Sequence, residues 1–165
     1  MENIHHIAEF RTQLKRGVIQ HAYKGLLEYV SGLRTYFQKN HPECEGPSNI
    51  YQGYMDMTYF SIIPPSLKQH KLKIAVVFLY DAFRFEVWLS GYNRKVQAKY
   101  WQLLRDSGPP HYRLVENPLK ADAILEHTLV ENPDFDNMDE LTRQIVKGTL
   151  AFISEVETYL SSLEP

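Results

Sequence analysis

Lys73-Ile74-Ala75-Val76-Val77-Phe78-Leu79-Tyr80-Asp81-Ala82-Phe83-Arg84-Phe85-Glu86-Val87-Trp88-Leu89 decides the fold. Residues 73–80 are apolar on both alternating sets, which suits a central strand covered on both faces. Asp81-Ala82 is a short connection, and residues 84–89 return as another strand, so the stretch predicts an antiparallel hairpin. Successive strand residues point to opposite sides. Phe85, Val87 and Leu89 therefore share one face of the returning strand, and Arg84, Glu86 and Trp88 share the other.

Upstream, Met55, Met57 and Tyr59 alternate with Tyr54, Asp56, Thr58 and Phe60, the two-residue period of a further strand that Pro64-Pro65 closes. The run from His41 to Ser48 is a loop by its turn chemistry. Before it, Ile4, Ile7, Phe10 and Leu14 recur at helical steps, Gly17 marks a break, and a wide stripe follows from Ile19 through Tyr23, Leu26, Val30 and Leu33 to Phe37. Downstream, Gly91 ends the hairpin, and Asn93 is a suitable N-cap for a helix running to about Asp106, with Val96, Tyr100, Leu103 and Leu104 inward. Residues 112–115 and 123–130 read as strands. Asn137 and Glu140 have capping-box spacing for a last helix whose stripe runs from Leu141 to Leu163.

Helices and hairpins segregated in this way predict an α+β fold, with a mostly antiparallel sheet of about four to five strands flanked by long N- and C-terminal helices. A single domain is expected over 1–165. It comprises a helical segment 2–38, strands and a helix over 49–130, and a C-terminal helix 137–163.

The 165 residues are 44% hydrophobic and 23% charged, with a formal net charge of −2. That balance removes the bulk electrostatic argument for a nucleic acid or an anionic membrane as partner. Cys44 is the single cysteine, so no intramolecular disulfide can form, as fits a reducing compartment. No apolar h-region follows Met1. The longest apolar run, Ile74 to Tyr80, is too short to span a bilayer as a helix. A cytoplasmic protein is expected.

No Walker loop, GxGxxG, HExxH, CxxC or GxSxG motif occurs, and neither a cofactor nor a metal is expected. His5 and His6 diverge by about 100° on a helix, which does not suit a shared metal. Glu126 and His127 point to opposite faces of a strand. Glu43 and Glu45 would raise the Cys44 thiol pKa and so blunt its reactivity.

Three stretches carry the candidate site. Tyr51-Gln52-Gly53-Tyr54-Met55-Asp56-Met57-Thr58-Tyr59-Phe60 sets tyrosines and a lone carboxylate along one strand, either as a pocket wall or as an amphipathic strand with Asp56 at the sheet margin. Phe85 to Asn93 runs from a strand through glycine into a helix start, where free N–H groups favour anions. Trp88, Tyr92, Tyr100 and Trp101 lie near Arg94, Lys95 and Lys99, at a spacing that also suits core and boundary positions. These residues predict a non-enzymatic binding module with a pocket walled by Tyr54, Asp56, Glu86, Trp88 and Asn93. Its partner would be a small polar ligand or a protein. A homodimer joined through the aromatic surface is a further reading.

The alternative is a degenerate restriction-endonuclease-like, metal-dependent phosphodiesterase, with Asp81 and Glu86 as magnesium ligands. The lysine two residues after the second acid in such enzymes is Trp88 here, which removes the usual cation.

The blocks Ala22 to Leu27, Tyr51 to Phe60, Leu72 to Ala75, Phe85 to Asn93 and Asn132-Pro133-Asp134-Phe135-Asp136 resemble the signature of a bacterial family catalogued as domain of unknown function 7000. The resemblance runs over nearly the whole chain. It implies a small bacterial single-domain protein and transfers no activity, cofactor or catalytic residue.

Overall fold

The computed structural model describes residues 3–44 and 49–163. Residue 2 of the expected first helix and residues 45–48 of the expected loop lie outside them. Helices α1 (Asn3–Lys15) and α2 (Val18–Asn40) meet at Gly17. Its φ of 74° is left-handed, a region glycine enters without steric penalty. There follow β1 (Met57–Ile62), α3 (Pro65–Lys68), β2 (Leu72–Leu79), β3 (Arg84–Gly91), α4 (Arg94–Ser107), β4 (Arg113–Leu114), β5 (Leu125–Glu131) and α5 (Met138–Ser162).

The strands form one sheet in the order β1-β2-β3-β5-β4, antiparallel at every pairing. The N- and C-terminal helices flank it, and the fold is α+β. The predicted hairpin is its centre, with Val76 opposite Val87. Between β3 and β5 the register shifts, so that Phe85 faces Val130 while Glu86 faces Thr128. Leu129 is the extra residue of this bulge. Its side chain lies where a Cβ on Gly148 of α5 would stand, so helix and strand meet closely there.

The main core lies between one face of the sheet and the long helices. Phe60, Ile74, Val76, Phe78, Phe85, Val87 and Leu89 pack with Val30, Leu33 and Phe37 of α2 and with Leu141, Ile145, Phe152 and Val156 of α5. Each such side chain contributes about 1.5–3 kcal/mol by leaving water. The second face carries a smaller cluster of Ala75, Val77, Trp88, Val115 and Ala123, backed by Met57, Tyr59, Leu79, Trp101 and Ala121. Trp101 is its helical member among the described residues.

Two local expectations change. The tyrosine-rich strand starts at Met57. Residues 53–56 turn instead, because Gly53 and Met55 both take φ of 67° and Asp56 Oδ1 accepts from Tyr54 N at 3.0 Å, a side-chain bond typical of turns. Leu103 is exposed: α4 packs through Gln97, Tyr100 and Leu104, a stripe of three- and four-residue steps that leaves position 103 to the side. On α1, which packs against α2, Ile4, Ile7 and Phe10 remain exposed.

Candidate functional site

The second face of the sheet opens into a cleft of about 370 Å³ between β1, β2, β3 and the start of α4. Alternation places its lining. Tyr59 and Ser61 on β1, Lys73 and Ala75 on β2, and Trp88 and Ser90 on β3 all point to this side.

Trp88 is held from within its own strand. Its Nε1 donates to Glu86 Oε2 at 2.6 Å. Arg84 grips the other oxygen, with Nε at 2.8 Å and Nη2 at 2.7 Å from Glu86 Oε1. The two-residue spacing puts all three side chains on one face in a line. Glu86 is only 3% exposed. A buried carboxylate needs both a counter-charge and hydrogen bonds, and this trio supplies them while fixing the indole plane beside the cleft.

The rim is sewn together by side chains from the β3–α4 junction. Asn93 caps α4, its Oδ1 accepting from Val96 N at 2.9 Å. Gln97 accepts from Gly91 N at 2.9 Å and donates to Ala121 O at 3.0 Å. Ser90 donates to Asp122 O at 2.8 Å, and Arg94 donates to Ala121 O at 2.6 Å. These bonds fix the 121–122 segment against the helix start. A Cβ on Gly91 would stand 2.6 Å from Gln97 N, so glycine is what lets the strand end meet the helix so closely.

The opposite wall comes from the turn. Residues 53–56 return the chain along β1, where Tyr51 and Tyr59 exchange backbone hydrogen bonds. Their rings stack with centroids 5.0 Å apart. The turn is tied down by Thr58, whose Oγ1 donates to Gln52 O at 2.7 Å, and by Tyr23 from α2, whose hydroxyl donates to Gln52 O at 3.3 Å.

Two cations and one acid line the cleft. Arg94 and Asp122 lie 3.7 Å apart. Lys73 is half-buried, and no carboxylate among the described residues pairs with it. Burial, and then the charge of Asp122, push the Tyr59 hydroxyl above its ordinary pKa, so it stays a neutral donor at physiological pH.

The sequence candidates fall into two groups. Trp88 and Asn93 line the cleft, and Glu86 lies behind Trp88. Tyr54 and Asp56 sit in the 53–56 turn, outside the lining, with Tyr54 83% exposed.

The family model described as Domain of unknown function (DUF7000) matches residues 4–160. The chain belongs to this family. Every residue lining the cleft falls within the matched range. No curated protein and no solved structure matches the chain.

Sequence reasoning missed Tyr59, Lys73, Gln97 and Asp122 as cleft residues. Lys73 did carry a signal, as the one charge opening an apolar central strand. Asp122 carried none, because it reaches the cleft only through the bonds of its neighbours. The two acids weighed as magnesium ligands part company: Asp81 is exposed in the β2–β3 turn, and both Glu86 oxygens are already engaged. Among the described residues, no three His, Cys, Asp or Glu side chains stand close enough to hold a metal ion. Burial, then Glu43 and Glu157, raise the Cys44 thiol to about 11. No helix of the described residues is long and apolar enough to cross a membrane.

Proposed function

We propose that this chain is a non-enzymatic binding module whose site is the cleft on the second face of the sheet. The observation that carries the reading is the cleft itself: a concavity of about 370 Å³, within the roughly 300–1,000 Å³ usual for small-molecule sites. Its lining mixes the aromatic faces of Tyr51, Tyr59, Trp88 and Tyr92 with Lys73, Asn93 and Arg94. Apolar surface with a few placed polar groups is the usual composition of a ligand pocket. In this reading Trp88 and Asn93 touch the ligand, Glu86 positions Trp88, and Tyr54 and Asp56 support Tyr51 through the turn. No catalytic residue is assigned: Glu86 is consumed by its partners, and the Cys44 thiol is held protonated.

A bacterial, cytoplasmic setting belongs to the same reading, supported by the family resemblance and by the single cysteine.

The test is a thermal-shift screen of the full chain against nucleotides, sugars, amino acids and small organic acids. A ligand at one hundred times its Kd adds about 2.7 kcal/mol, which moves the Tm of a chain this size by roughly 5–10 °C. The shift is expected to disappear in Tyr59→Ala and persist in Tyr54→Ala. A screen without a shift counts against the reading.

The exposure of Tyr54 favours a second reading, in which a protein partner or a second copy docks on the rim formed by Tyr51, Tyr54 and Tyr92, each more than 40% exposed. That reading predicts a doubled mass in light scattering, or a pull-down that Tyr54→Ala abolishes.

A further inference from the structure

We infer that the cleft takes a ligand with two parts: an anionic group, carboxylate or phosphate, that meets Lys73, and a flat ring or similar planar body that lies against Trp88 and Tyr59. The inference rests on the cleft reading above and names the chemistry of its ligand.

Lys73 supplies the first half of the argument. It stands near the start of β2, paired with β3 and one residue beyond the last β1 pairing at Ile74, and lines the cleft half-buried. A half-buried lysine lays its stem along the wall and keeps its ammonium towards water, where an anion in the cleft can meet it. The one acid in the lining, Asp122, faces Arg94 at 3.7 Å. The residue opposite Lys73 is Ser90, whose hydroxyl donates to Asp122 O and offers no counter-charge. The start of α4 on the same side brings the positive end of a helix dipole. Lys73 and Arg94 against Asp122 leave the lining with one positive charge in excess, and the helix start adds to it. An anionic ligand answers it.

The ring comes from the walls. Trp88 is tethered by its bond to Glu86, and Tyr59 is backed by its stack on Tyr51. Both rings are fixed before a ligand arrives, so stacking on them costs little ordering. The hydroxyls of Tyr59 and Tyr92 and the amide of Asn93 add hydrogen-bonding capacity at the rim.

The experiment uses matched probes with one ring and three head groups. Phenyl phosphate, phenylacetate and phenylacetamide are titrated into the full chain by calorimetry, alongside thermal shift. The inference predicts that one or both anions bind, and that the amide binds about tenfold more weakly or less, as the loss of a charge-assisted contact requires. The stronger anion identifies the natural head group as phosphate or carboxylate. Lys73→Met is expected to bring the anions down to the level of the amide, and Lys73→Arg to retain the preference. The arginine variant also guards against a mere folding defect. Equal binding of all three probes, unchanged in Lys73→Met, overturns the anion inference and leaves the cleft reading standing. Binding of other screened compounds at the cleft, with none of the three probes bound, overturns it as well. No binding by any compound overturns both.

Discussion

The indole N–H of Trp88 donates to Glu86 at 2.6 Å, and the same carboxylate is held by Arg84 two residues earlier on the strand. This line of three side chains joins the stability of the central strand to the shape of the cleft. Glu86→Gln removes the charge that answers Arg84, and is expected to cost about 1.5–3 kcal/mol, the scale of a hydrogen bond to a charged group. Trp88→Phe leaves one Glu86 oxygen unpartnered while buried, at a cost of about 1–3 kcal/mol. Urea midpoints check both. In the first variant the binding of any cleft ligand should weaken with the stability, because the ring it rests on loses its anchor.

Gly53 stands at φ +67°, and a Cβ there would overlap Met57 O and Asp56 Oδ1. Gly53→Ala should therefore cost about 1–3 kcal/mol, the range for a residue forced into a disallowed backbone region. The damage is local to the turn that lays Tyr51 on Tyr59, so proteolysis between residues 51 and 57 should accelerate before the global midpoint falls far. Gly91→Ala should act on the other rim, because its Cβ would meet the Gln97 backbone at 2.6 Å. Loss of the α4 docking contact would show as faster amide exchange at Val96 and Gln97.

The central hairpin was legible because its two strands state their burial in full: residues 74–78 are apolar without a gap, and Phe85, Val87 and Leu89 separate cleanly from Glu86 and Trp88. That separation also put Trp88 and Asn93 among the candidates by local pattern. The turn at 53–56 was read as strand because its tyrosines and methionines imitate alternation, while the left-handed φ of Met55 leaves no mark in residue type. Lys73 and Asp122 were missed for another reason. Each becomes notable only through neighbours brought in by sheet register or by the Arg94 and Ser90 bonds, and register cannot be read from one strand alone.

Two carboxylates near the sheet give opposite pH signatures. Burial, and then the charge of Glu86, raise Glu126 above its ordinary pKa, with Arg113 and Arg84 pulling the other way. A carboxyl raised in the folded state gives stability that is complete below its unfolded pKa and lost as pH rises through the folded value. Glu126→Gln should therefore be more stable than the parent at neutral pH, with the gain vanishing in acid. Asp56 is lowered, by the N–H groups of Met57 and then Tyr54. Its contribution is present above the unfolded pKa and is lost as pH falls through the folded value. Asp56→Asn should flatten the acid limb. Melting curves of the three proteins from acid to neutral pH check both signs.

Cys44 should be slow to react. Its thiol is raised from 9.0 to about 11 by burial, Glu43 and Glu157. A thiol pushed up to about 11 carries little of the reactive thiolate near neutral pH. Alkylation by iodoacetamide at pH 8 should be slower than that of a short cysteine peptide, and Glu157→Gln should recover part of the rate.

The most direct test of the central claim is a fragment screen read by amide NMR, in which each hit reports its own location. Fragments are expected to shift the signals of Ser61, Lys73, Ala75, Trp88 and Gly91 together, with little change at Val30, Phe37 or Phe152 on the helix-covered side. Hits that leave those five signals still, or a screen with no hits at all, would contradict a binding site in the cleft.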